Sequence, residues 1–198
     1  TSAQAEKAAF DWSDQAELDA AIGWSQSAWP SFDMYFPIFA AAPDAVIFGA
    51  GVLRETLRDQ LQNPISERPE AARFGLDQPP DLEEQAAREA LQAVAHCGAL
   101  PEELLPMMVD AQRIRDMALA DAALRALAQT GGPVVVITGN GHARTDWGMP
   151  ALLQVAAPDV TVFSLAQAED GSTVNGGFSL TLDAPAPERG DSCAAFTQ

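Results

Sequence analysis

The chain has 198 residues, enough for one core and an appendage, since domains usually run ~100 to 200 residues. Its 11 Lys and Arg stand against 28 Asp and Glu, a net charge of −17 with Lys7 the only lysine. So acidic a surface repels phosphate backbones and argues against nucleic acid as a partner. No run of ~18 apolar residues, the length a membrane helix needs, occurs, and residues 1–7 carry no basic-plus-apolar leader, which is also how a mature exported protein begins.

Asp14 with Glu17 three residues later predicts a capping box that opens a short helix, and Gly23 is placed to end it. An aromatic block follows: Trp24, Trp29, Phe32, Tyr35, Phe36 and Phe39, punctuated by Pro30 and Pro37. Six aromatic residues within 16, in a chain only 7 % aromatic, either fill a core or line a flat ligand. Residues 45–48 read as a buried strand, and Gly49-Ala-Gly51 turns into a helical pattern over 52–61. That turn lacks the third glycine of a dinucleotide fingerprint.

Residues 62–80 hold four prolines and read as an irregular excursion, after which Asp81 and Glu84 cap a helix running to about Cys97 and ending at Gly98. The predicted organisation is an α/β core domain over residues 1–61 and 100–198, with a helical subdomain inserted at 62–99. The longest helix runs from Pro101 or Pro106 to about Gln129, with Gly131-Gly132-Pro133 beyond its end. At 100° per residue Leu105, Met108, Gln112, Asp116, Leu119 and Ala123 share one stripe. Gln112 and Asp116 therefore sit one turn apart on an apolar face, and either brace the backbone or point into a site.

Residues 134–138 (Val-Val-Val-Ile-Thr) predict a central strand of a helix-covered parallel sheet. Residues 160–165 predict another, and 177–182 alternate as an edge strand or hairpin partner does. Cys97 and Cys193 form no Cys-x-x-Cys pair; they either close one long-range disulfide or stay as two unpaired small side chains.

Ligands of open α/β sheets sit beyond the carboxyl ends of strands, the place residues 139–147 occupy. Gly139 and Gly141 allow unusual backbone angles or close approach, Asn140 tolerates the left-handed region, and His142 follows, with Arg144, Asp146 and Trp147 in reach. A structural turn whose histidine caps the next helix is the plainer alternative. His96 sits where an imidazolium meets a helix dipole favourably. Neither His-Glu-x-x-His nor a Gly-x-Ser-x-Gly elbow is present.

The stretch Gly139-Asn-Gly-His-Ala-Arg-Thr-Asp-Trp-Gly-Met-Pro150 resembles the hallmark loop of the ChaN-like haem-binding uptake family. Trp24, Trp29-Pro30 and Tyr35-Phe-Pro-Ile38 resemble its aromatic segment, and His96-Cys-Gly98 with Ala111-Gln112-Arg-Ile-Arg-Asp116 its helical signature, so that the likeness spans residues 24–165. The resemblance implies a bacterial exported protein of haem and iron uptake, periplasmic or anchored to the outer membrane as a lipoprotein. It also implies a mainly parallel sheet flanked by helices with a small helical subdomain, haem bound in a pocket completed by a homodimer, and an outer-membrane haem receptor as a further partner. The wider group includes erythromycin-esterase-like and Tiki-type hydrolases, in which a downstream histidine, matching His142, works with a Gly-Glu-x-His-like motif on the first strand. That motif is not in this chain, and the expectation is that first-strand residues are absent from it. The alternative function is a metal-dependent or His142-assisted hydrolase.

Haem iron accepts Tyr, His, Met or Cys as axial ligand, and the chain has one tyrosine. Tyr35 is thus the expected iron ligand, with Trp29 and Phe32 or Phe36 packing the porphyrin, His142 or Arg144 meeting propionates, and Gln112 and Asp116 completing the site. The disulfide expected in an oxidising compartment is Cys97–Cys193.

Overall fold

The computed structural model describes residues 14–27, 29–191 and 193–194; residues 1–13 of the expected core segment lie outside them. Helix α1 (Gln15–Ile22) begins as its sequence requires: the Asp14 carboxylate accepts the backbone N–H of Ala16 at 2.8 Å and of Glu17 at 3.0 Å, and Gly23 closes the helix in the left-handed region at φ +68°. Leu18 and Phe32 are the buried pair of a small cluster that Ile22, Trp24, Tyr35, Phe36 and Phe39 complete. Two single 3-10 turns and the short α2 (Phe36–Ala40), with Pro37 in its first turn, carry these rings.

A larger core forms around α5 (Leu105–Thr130), a helix of 26 residues that Gly131 ends at φ +78°. It packs against α4 (Leu82–Ala95) on one side and α7 (Met149–Ala156) on another. Its burial is therefore broader than one stripe and takes in Val109, Ala111, Ile114, Met117 and Ala120 as well as Leu105 and Asp116. Leu57 of α3 (Arg54–Gln60) joins this core, and so do Ile65, Ala71, Phe74 and Leu76 from the proline-rich stretch that follows. Helix α4 is capped by Asp81, which accepts from the Glu84 N–H at 2.8 Å. Just beyond it Cys97 (φ 57°) and Gly98 (φ 67°) are left-handed in succession, and Cys97 is joined to Cys193 as a disulfide with Cα atoms 5.7 Å apart.

The sheet differs from the expectation. Among the described residues it is one parallel pair, β1 (Leu165–Glu169) and β2 (Leu180–Ala184), in register Leu165↔Leu180. A helix-rich chain with a parallel pair is compatible with α/β. Residues 134–138 join no ladder among the described residues, and Val135 is 82 % exposed; β-branched residues favour the extended backbone, but only a neighbouring strand can complete the hydrogen bonds. Residues 45–48 likewise form no strand beyond a single bridge at Ile47, and Val46 is exposed.

The strand expected at 160–165 starts at Leu165 instead, because the chain leaving α7 first spends the Val160 N–H on a turn to the Ala157 carbonyl. The one expected at 177–182 becomes 180–184, because the Gly177 carbonyl is taken by the Thr145 N–H and the Ser179 and Leu180 N–H groups both reach the Ser164 carbonyl. It is no hairpin partner: residues 170–179 carry the chain back, so the two strands run parallel.

Candidate functional site

The site grows from the buried polar residue of α5. Asp116, 2 % exposed, lies among apolar neighbours and accepts a hydrogen bond from His142 Nδ1 at 2.7 Å. Burial pushes the Asp116 carboxyl above its usual pKa, while the His142 hydrogen bond works against that rise. With Nδ1 held by the carboxylate, the imidazole's other nitrogen, Nε2, carries the free lone pair of the neutral ring. The His142 side chain keeps 21 % exposure, so Nε2 can take a proton or ligate iron. Gln112, one turn earlier, is half-buried, and its amide makes no hydrogen bond among the described residues.

His142 is carried on α6 (Asn140–Ala143), a single turn. Asn140 anchors that turn to the sheet: its amide donates to the Gln167 carbonyl at 2.7 Å and its Oδ1 accepts the Gln167 N–H at 3.0 Å, as a neighbouring strand would. Asn140 is not left-handed, nor are Gly139 and Gly141, and a Cβ on either glycine would meet nothing within 4 Å. The demanding glycine is Gly148, where a Cβ would lie 2.5 Å from the His142 carbonyl oxygen and 2.8 Å from that of Arg144. The loop folds back so tightly on itself that only a hydrogen fits there.

Arg144 is buried, and its charge is committed. Nε donates to Asp146 Oδ1 at 2.8 Å and Nη2 to Oδ2 at 2.6 Å, a two-point pairing that holds the Asp146 carboxyl below the usual range. The guanidinium lies 3.5 Å from the centre of the Trp147 ring, over which Arg88 of α4 also sits at 5.1 Å. Arg88 in turn pairs with Glu84 at 2.6 Å and donates to the Trp147 carbonyl at 3.0 Å, fastening the loop to α4. Ser164 Oγ donates to the Ala143 carbonyl. A cleft of ≈ 530 Å³ opens on the Gly139–Gly141 side of the loop, between Leu91 of α4 and Gln167 and Glu169 of β1.

The structure thus brings Gln112, Asp116 and His142 to one place with Arg144 in the loop beyond, and sets Trp29 and Tyr35 together in another. Tyr35 is half-buried, its ring centroid 4.6 Å from that of Trp24 and 5.6 Å from that of Trp29. Trp24 donates to the Pro30 carbonyl at 2.8 Å, Trp29 beside the phenol is half in solvent, and Met34 and Ile38 of the same segment also leave apolar surface exposed. A half-buried phenol among rings, with open apolar surface beside it, fits a flat ligand with an oxygen-seeking metal at its centre.

Among the described residues no group of three or more His, Cys, Asp or Glu is arranged to hold a free metal ion. Cys97 is in the disulfide, and His96 Nδ1 lies 2.8 Å from the Gln92 carbonyl at the end of α4. Sequence reasoning missed Arg88 and Gly148. Arg88 looks like half of a surface pair with Glu84 four residues before it, and the close approach at Gly148 leaves no trace in the sequence.

Residues 3–153 match the family described as haem-binding uptake, Tiki superfamily, ChaN. No curated protein and no solved structure matches the chain.

Proposed function

Since this chain belongs to the ChaN family of haem-binding uptake proteins in the Tiki superfamily, we propose that it binds haem for bacterial haem and iron uptake, with Tyr35 as the iron ligand. The observation that carries the choice of residue is the Tyr35 phenol itself, packed edge-on and tilted between Trp24 and the exposed Trp29. Bound haem would supply the iron, and the Tyr35 oxygen would hold it. The chain's part is to present that oxygen from the ring stack and to cover the porphyrin face with Trp29 and Phe36. Phe32, fully packed against Leu18, holds the stack from beneath.

So open a patch leaves much of a bound porphyrin in water, and a second copy of the chain closing over it is the proposed remedy, hence a homodimer with haem between. An outer-membrane haem receptor is the proposed further partner. Export to the periplasm or to an outer-membrane lipid anchor is supported by the Cys97–Cys193 disulfide, a bond that persists in oxidising compartments.

A haem titration followed by the Soret band and by molecular mass tests this. The expected result is a saturable Soret shift with doubling of the mass, and a changed band position in Tyr35→Phe. Binding by Tyr35→Phe with the wild-type spectrum would remove Tyr35 from the iron.

The Asp116–His142 pair favours a second reading, a hydrolase in which His142 Nε2 is the general base and Asp116 orients the ring. Turnover of ester or peptide substrates that disappears in His142→Ala supports it; equal turnover in both proteins removes it.

A further inference from the structure

The cleft of ≈ 530 Å³ beside the Gly139–Gly141 stretch has the size of a small-molecule site, which usually spans ~300 to 1,000 Å³. One wall is the loop that follows β1, and hydrogen bonds fix it. The Gly171 N–H donates to Asp183 at 3.0 Å, the Ser172 N–H to the Glu169 carbonyl at 2.9 Å, and Ser172 Oγ accepts the Glu169 N–H at 3.2 Å. The opposite wall is the turn that Asn140 clamps to Gln167. Both walls therefore hold their places with nothing between them.

The chemistry of the lining argues against two classes of ligand. Its charged side chains are Arg144 and Glu169, and each is paired, the first with Asp146 and the second with Arg189. An ionic ligand thus meets no unspent charge of the opposite sign. An extended peptide would bind by adding a strand to β1, and for that it needs free backbone groups. The N–H and C=O of Gln167 are both taken by the Asn140 side chain, and those of Glu169 by Ser172.

What the cleft does offer is neutral. Thr138, Gln167, Thr173 and Asn175 line it, and their side chains make no hydrogen bond among the described residues. Each of these hydroxyls and amides can both donate and accept, as each hydroxyl of a sugar does. Leu91 and Val174 add aliphatic surface on which the C–H face of a sugar ring can shed water.

We propose that this cleft binds a short neutral oligosaccharide through the side chains of Thr138, Gln167, Thr173 and Asn175. None of its lining residues belongs to the aromatic segment, so the site is independent of haem at Tyr35.

The test is a titration of the protein with maltotriose, cellotriose and chitotriose, followed by amide NMR, with tri-alanine as the peptide comparison. The expected result is saturable shifts with at least one of the three sugars, confined to residues lining the cleft and including the side-chain amides of Gln167 and Asn175. Gln167→Ala and Asn175→Ala, both at exposed positions, should each weaken that binding by about threefold to tenfold, the range for one neutral hydrogen bond. Both variants should titrate with haem as wild type does. No shift with any of the sugars up to about 10 mM, where a site with a Kd of ~1 mM would be nearly full, overturns the proposal. Shifts scattered outside the cleft, shifts with tri-alanine alone, or a sugar affinity that neither variant changes overturn it equally.

Discussion

The aromatic segment and the His142 loop reach order by opposite means. In the loop nearly every polar group is fixed by a named partner: Asp116 holds His142, Gln167 holds Asn140, Asp146 holds Arg144, and the loop backbone closes over Gly148. In the aromatic segment the order comes from rings leaning on rings at angles from 44° to 81°, with one side left in solvent. Directional bonds set one geometry and resist change, whereas ring packing has broad minima and tolerates a new neighbour. The loop is therefore suited to hold a reactive nitrogen in place, and the segment to accept a large flat molecule.

Breaking the disulfide is expected to have the largest effect, and to fall on the helical body rather than the rings. Cys97 and Cys193 are 96 residues apart in sequence, and closing so long a loop is worth ~4 to 5 kcal/mol in the chain-entropy model. Urea unfolding of the Cys97→Ser, Cys193→Ser protein should show that loss. A difference under about 1 kcal/mol would mean that the reduced chain keeps the tail in place, through the Arg189–Glu169 pair and the bond from the Ala186 N–H to Asp170.

Gly148→Ala comes next. The added methyl meets two backbone oxygens that have no rotamer by which to yield, so the loop must move as a unit, at a cost of ~1 to 3 kcal/mol typical of overpacking. Denaturant unfolding measures the cost, and the imidazole NMR signal of His142 reports whether its Asp116 bond survives. Wild-type stability with an unchanged signal would show the loop to be as adaptable as the aromatic segment. Alanine at Gly141, where the methyl meets open space, is the control.

What the sequence disclosed follows the range of the interactions. The caps of α1, α4 and α5 were legible because Asp14, Asp81 and Gly131 act within a few residues of themselves. Asp116 was legible as a polar residue on an apolar stripe, and its partner was one of only two histidines. The strands were not, because pairing is non-local: the valines at 134–136 favour extension but cannot supply a neighbour. Gly139 and Gly141 drew attention for backbone freedom they do not use, while Gly148 owes its necessity to carbonyls brought back by the fold.

The smallest expected effect concerns pH and separates the two regions most directly, because among the described residues the ring stack contains no buried carboxylate. Burial raises the Asp116 pKa above its ordinary 3.8. Between that value and the raised one the folded protein holds a proton that the unfolded chain has lost. Stability therefore falls as pH rises through the window, and the penalty is fully present above it. Asparagine at 116 keeps an oxygen to accept from His142 but cannot ionise. The stability of wild type relative to Asp116→Asn should thus decline from about pH 4 upward and then level off, as urea unfolding at a series of pH values will show. A relative stability that instead grows with pH would mean that the bond to His142 outweighs burial and holds the Asp116 carboxyl ionised. The loop's order would then rest on a buried charge, a constraint with no counterpart in the aromatic segment.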